Sequence, residues 1–228
     1  TPPGTPAEIL ARLVSFDSVS SRSNLSVIRW IGDSLAELGV PVEIVAAPDG
    51  QPKANLWASI GPDRDGGIVL SGHTDVVPVE GQPWSGDPFT LRDGGDRWFG
   101  RGTSDMKGFI ALCLALVPEM LKRDLKTPLH FAFSYDEEIG CLGAPSLIAG
   151  IGKRFRQPRI AVIGEPTELK LGTRHKGCYS FTTTVTGKDG HSSQPERGLN
   201  AILAAAEVAT ELGRIYDRFR HDGPFDKS

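Results

Sequence analysis

The order of segments in this chain predicts an α/β fold with a mostly parallel central sheet and helices on both faces. Three observations carry that reading. Short β-branched runs alternate with stretches of helical periodicity. At least one run, IVLSGHTDVVPV, is apolar enough for a strand covered on both sides. The polar residues with chemical capacity stand just after the runs, where open α/β sheets bind ligands. A chain of 228 residues, 39% hydrophobic and 23% charged, has the material for a real core, which argues against disorder and a membrane protein. Its net charge of −3 offers no basic footprint for nucleic acid.

Taken in order, PAEILARLVSF and LSVIRWIGDSLAELG carry apolar residues at helical spacing and predict two amphipathic helices, the second stopping at Gly39. Extended segments follow at 42–46 and 54–60, then the buried strand that begins at Ile68. Residues 81–104 are rich in Gly, Asp and Pro with interleaved Trp84, Phe89, Trp98 and Phe99, and predict an ordered excursion. MKGFIALCLALVPEML predicts a helix opened by Asp105 and kinked or divided at Pro118. Strand LHFAFSY, a short helix near APSLIAG and strand RIAVIG complete a first domain over 1–176. From Gly177 the texture changes. CYSFTTTVTG predicts a long Thr-rich strand and LNAILAAAEVATELGRIYDRF a helix, the start of a second domain over 177–228. One strand and one helix cannot bury a core, so that domain is expected to be incomplete in this chain.

No apolar run approaches the roughly 18 residues that span a bilayer, the longest being FIALCLALV. The start, TPPGTPAEIL, has neither the basic nor the apolar region of a secretory signal, and its missing Met points to a trimmed start. Cys113, Cys141 and Cys178 are odd in number and lie outside any CxxC pair, which favours a reducing, cytoplasmic setting over a disulfide framework.

Five residues converge on one rim of the predicted sheet: His73 and Asp75 after one strand, Glu137 and Glu138 after the next, and Glu165 after the third. Asp105 can join them. Each has an ordinary alternative. His73 and Asp75 can be a buried imidazole and its carboxylate, Asp105 a helix cap, Glu137 and Glu138 an exposed acidic edge, and Glu165 a turn residue before Pro166. Taken together, the three adjacent carboxylates Asp136, Glu137 and Glu138 repel one another unless a cation supplies the opposite charge. Imidazole and carboxylates without thiolate suit zinc, with cobalt or manganese admissible. Asp75, two residues from His73, is placed to accept a hydrogen bond from the ring nitrogen that faces away from the metal.

The segments SGHTDVVPVEGQPWSGDPFTL, GRGTSDMKG, YDEEIGCLGA, GEPTELKLGTRHKG and DGHSSQPERGLNAI, in this order, resemble the zinc aminoacylase and carboxypeptidase family that includes succinyl-diaminopimelate desuccinylase. The resemblance runs from about residue 67 to residue 202 and implies a zinc-exopeptidase-like fold with a smaller α+β lid. It implies two zinc ions per full-length subunit, sharing Asp105, one also held by His73 and Glu165 and the other by Glu138. Glu137 is then the general base and Asp75 the residue that orients His73. The bond from Asp105 to Met106 is expected to be cis. His191, on the lid, is expected to serve the other subunit's site in a homodimer. The implied substrate is a small N-acyl amino acid. The second ion's remaining ligand is a histidine found near the end of family members, and His175, His191 and His221 are not placed like it. A metal-binding chain without activity is therefore the alternative.

Overall fold

The computed structural model describes residues 4–172, 177 and 179–223. Residues 173–176 of GEPTELKLGTRHKG, with His175, and Cys178 lie outside the described residues. The chain divides into two compact units, Thr1–Leu171 and Gly172–Ser228, each described by itself.

In the first unit, α1 (Pro6–Val14) starts from a capping box: the Thr5 hydroxyl accepts from the Glu8 amide while the Glu8 carboxylate accepts from the Thr5 amide. It buries Ile9, Leu10, Leu13 and Val14. Helix α2 (Leu25–Glu37) buries Val27, Ile28, Ile31 and Leu35, and the chain leaves it through Gly39 at φ 77°. Strands β1 (Val42–Ala46), β2 (Ala54–Ile60) and β3 (Gly67–His73) follow. The excursion holds a small hairpin, β4 (Arg92–Asp93) with β5 (Trp98–Phe99). Then come α3 (Gly108–Leu121), β6 (Leu129–Ser134), α4 (Ala144–Ile148) and β7 (Pro158–Ile163).

Helix α3 continues through Pro118, so the proline does not divide it.

The sheet order is β1-β2-β6-β3-β7. Pairing is antiparallel for β1/β2 and β2/β6 and parallel for β6/β3 and β3/β7, so only β2 runs against the rest. Alternate residues serve two cores. Leu56, Ala58, Phe131 and Phe133 face α1, α2 and α3, whereas Trp57, Val69 and Ala132 face α4 and Phe155. Trp57 stacks on Phe155 with ring centres 4.5 Å apart.

In the second unit, α5 (Ala201–Asp222) is capped by Asn200, whose side chain accepts from the amides of Ile202 and Leu203. The expected Thr-rich strand is absent over 179–187. A strand needs a neighbour to satisfy its amides, and among the described residues the only pairing in this unit is the Lys188–Leu199 bridge. None of the described residues here is buried. Among all described residues, no helix is long and apolar enough to cross a membrane.

Candidate metal centre

Strand β3 lies between β6 and β7, parallel to both, so the three carboxyl ends open at one edge. His73 is the last residue of β3 and pairs with Ser134 at the end of β6. Glu165 follows β7 after Gly164, whose amide donates to the Ser71 carbonyl and so extends the pairing. Gly164 is required there: a Cβ would lie 2.0 Å from the ring of Phe109.

His73 is 1% exposed. Its Nδ1 lies 2.9 Å from the Asp75 backbone carbonyl and 3.5 Å from the Asp75 carboxylate, so the carbonyl is the closer acceptor. With that proton on Nδ1, Nε2 faces the rim. It stands 3.0 Å from Asp105, 3.7 Å from Glu165 and 3.9 Å from Glu137. Two groups have ligand atoms all within 4.8 Å of one another: His73 with Glu137 and Glu165, and His73 with Asp105 and Glu138. Asp105 thus gathers with Glu138 rather than with Glu165.

The Asp75 carboxylate is turned away from the rim. It accepts from the Ser20 hydroxyl at 2.7 Å and from the amides of Glu137 at 3.1 Å and Glu138 at 3.3 Å. Those amides reach it because the chain turns at Asp136, which takes φ 55°, a region Asp tolerates better than most residues. The Asp136 side chain meets Lys53, whose ammonium lies 2.6 Å from one carboxylate oxygen and 2.5 Å from the other. Asp136 is therefore neutralised inside the protein, and only Glu137 and Glu138 of the acidic trio face the rim.

Asp105 sits in an irregular turn over Thr103–Lys107, with φ −122° and ψ 97°, and does not cap α3, whose first turn begins at Gly108. The Asp105–Met106 bond is cis, as expected. Met106 is fully buried, its methyl group resting where a Cβ on Gly72 would come within 2.8 Å. Lys107 is also fully buried and donates to the Phe16 carbonyl at 2.8 Å. Burial brings its ammonium down to about 7 against the opposing pull of Asp17 and Asp75.

The electrostatics supply a test of fit. Burial acts to lower the His73 pKa, but Asp75 and the charge of Glu165 outweigh it and raise the ring to about 9. Burial and the charge of Asp105 push Glu138 up to about 7, and burial with the charges of Asp105 and Glu137 raises Glu165. Left to itself, the rim gathers protons to offset negative charge. A divalent cation supplies the same compensation, and imidazole with carboxylates is a donor set that holds one.

His191 belongs to the second unit, where it is exposed and its Nδ1 accepts from the Ser193 amide at 3.2 Å. Ser20, Lys53 and Lys107 escaped the sequence reading. Nothing in SVSS or QPKAN sets Ser20 and Lys53 apart, and Lys107 stands two positions after Asp105 in GRGTSDMKG.

A parallel-stranded α/β rim that brings one imidazole and four carboxylates together is one that could hold a metal ion. The chain belongs to Peptidase family M20/M25/M40, whose profile matches residues 69–224. It is 42% identical over 200 residues to an acetylornithine deacetylase from Yersinia pseudotuberculosis, covering 86% of this chain and 51% of the relative. An acetylornithine deacetylase from Proteus mirabilis is 37% identical over 219 residues, with 93% and 56% covered. The chain thus spans about half the length of the curated relatives it matches. Among solved structures, an M20 family metallo-carboxypeptidase from Sulfolobus solfataricus aligns with TM-score 0.62 at 19% identity, covering 71% of this chain and 37% of that one. A tripeptidase from Staphylococcus aureus aligns with TM-score 0.63 at 17% identity, covering 90% and 55%. At such identities the structural likeness speaks for the fold alone.

Proposed function

We propose that this chain supplies most of the metal site of an amide hydrolase that removes the acetyl group from N2-acetyl-L-ornithine, giving L-ornithine and acetate. The observation that carries the reading is the gathering of four carboxylates around Nε2 of His73 in two overlapping groups. The likeness to acetylornithine deacetylases, at 42% and 37% identity, supports the choice of acyl substrate.

His73, Asp105, Glu138 and Glu165 would hold the metal, for which zinc fits best by donor type and cobalt is admissible, two ions per full-length subunit. When bound, such ions polarise an acyl carbonyl and lower the pKa of water toward 7. Asp75 keeps His73 oriented and leaves Nε2 facing the rim. Glu137 takes the proton of the attacking water and returns it to the departing amine. His191, from the second domain of another copy in a homodimer, donates to the oxyanion that develops on the acyl group. The catalytic domain is then 1–176 and the lid 177–228. Free Cys113 and Cys141 support a cytoplasmic setting.

Turnover of acetylornithine, succinyl-diaminopimelate and simple N-acyl amino acids by the full-length protein tests the substrate. Acetylornithine should have the highest kcat/KM, and a preference for the succinyl compound would reassign the protein to the desuccinylases. A second reading, metal binding without turnover by this chain alone, is favoured by the single imidazole in both ligand groups. Zinc content and activity of the isolated chain decide it: at most one tight zinc and no hydrolysis is the expected pair of results.

A further inference from the structure

We propose that Lys53 is a positioning residue for the paired glutamates, acting through a buried ring that closes on Asp75. The inference rests on the metal-site reading given above. Lys53 lies just before β2, beyond contact with the rim, and is 6% exposed. Its ammonium engages the Asp136 carboxylate and donates to the Ser20 carbonyl at 2.6 Å. The Ser20 hydroxyl in turn donates to Asp75, and Asp75 receives the amides of Glu137 and Glu138, which follow Asp136 directly. The ring therefore runs Lys53, Asp136, Glu137 and Glu138, Asp75, Ser20 and back to Lys53. Ser20, Asp75 and Asp136 are buried with it.

One feature separates this from an ordinary core ion pair. A buried pair often gains little stability over apolar packing, because the desolvation of both charges offsets their attraction. The ring is anchored at the two places that set the rim, the residue beside His73 and the residue before Glu137. Removing Lys53 leaves Asp136 charged, buried and unpartnered at the turn that aims both glutamates. Outer partners of this kind, which orient ligands without touching the ion, commonly govern metal affinity.

The test uses the full-length protein and zinc alone, with affinity measured by competition against a chromophoric chelator and folding checked by circular dichroism. Lys53→Met should weaken zinc binding by about 10- to 100-fold. In a Glu137→Gln/Glu138→Gln background the same substitution should change zinc affinity by no more than about twofold, the scatter of independent sites, while lowering the melting temperature as much as before. A purely structural lysine would reduce stability in both backgrounds and leave zinc affinity alone in both. Should Lys53→Met not fold, Lys53→Met/Asp136→Asn removes the orphaned charge and is expected to show the same loss of zinc affinity. Unchanged zinc affinity in the variant, or an equal loss in both backgrounds, overturns the role of Lys53 while the metal site stands. A parent protein that holds no zinc overturns the site itself, and this inference with it.

Discussion

Asp136, Glu137 and Glu138 are adjacent in sequence, yet their surroundings give them different work. Asp136 is held by Lys53, Glu138 is pushed up to about 7 by burial and the charge of Asp105, and Glu137 reaches toward Nε2 of His73. If Glu137 is the proton carrier, Glu137→Gln in the full-length protein should keep its zinc and lose roughly 10²- to 10⁴-fold in kcat. Metal analysis beside steady-state kinetics checks this, and a near-normal kcat would remove Glu137 from the role. Asp75→Ala frees the Ser20 hydroxyl and the two glutamate amides, so zinc affinity should fall by about 10- to 100-fold, read by chelator competition. His73, Glu137, Glu138 and Glu165 could be named from sequence because each stands at the end of a recognisable strand or within four positions past it. Lys53 could not, since it meets Asp136 across 83 positions and no local pattern encodes that meeting.

Elements carry the site through close contacts that depend on small residues. Gly164 lets β7 deliver Glu165 beside Phe109 of α3, so Gly164→Ala must displace either the ring or the strand end. The expected cost is about 1–3 kcal/mol, measurable by denaturant melting, accompanied by weaker zinc binding because Glu165 moves with its backbone. The strands that make the rim, and the helices between them, were legible because their apolar pattern serves burial. CYSFTTTVTG had a strand's composition, but composition does not provide a neighbour, and residues 179–187 form no ladder. Pro118 lies three residues from the end of α3 and does not divide it. The reversal of β2 was equally hidden, since direction follows from connections rather than from side chains.

At the scale of the whole molecule the rim should govern how stability responds to pH. The His73 pKa is raised from 6.5 to about 9, so its contribution is complete below about pH 6.5 and is lost as pH climbs through 9. Glu138 is raised from 4.5 to about 7, so the same sign applies, with the loss occurring as pH rises through 7. Asp75, whose pKa is lowered by its hydrogen bonds against the effect of burial, works oppositely and only in acid. Buried Lys107, brought down to about 7, contributes the opposite sign above that pH. Metal-free protein should therefore melt at progressively lower temperature between about pH 5.5 and 7, and saturating zinc should flatten that slope by replacing the protons. Calorimetric melts with and without zinc provide the check; parallel slopes would mean that zinc and protons do not compete.

The order of the sheet reaches beyond chemistry into synthesis. Strand β6 lies between β2 and β3 although it leaves the ribosome after both, so roughly the first three-quarters of this unit emerges with a gap at its centre. Until residue 134 has been made, β2 and β3 each present an apolar edge with no mate, and the nascent chain must wait for a late insertion before it can close. Ribosome-bound chains halted before β6 should accordingly remain protease-sensitive, with resistance arriving in one step once that strand is free to enter.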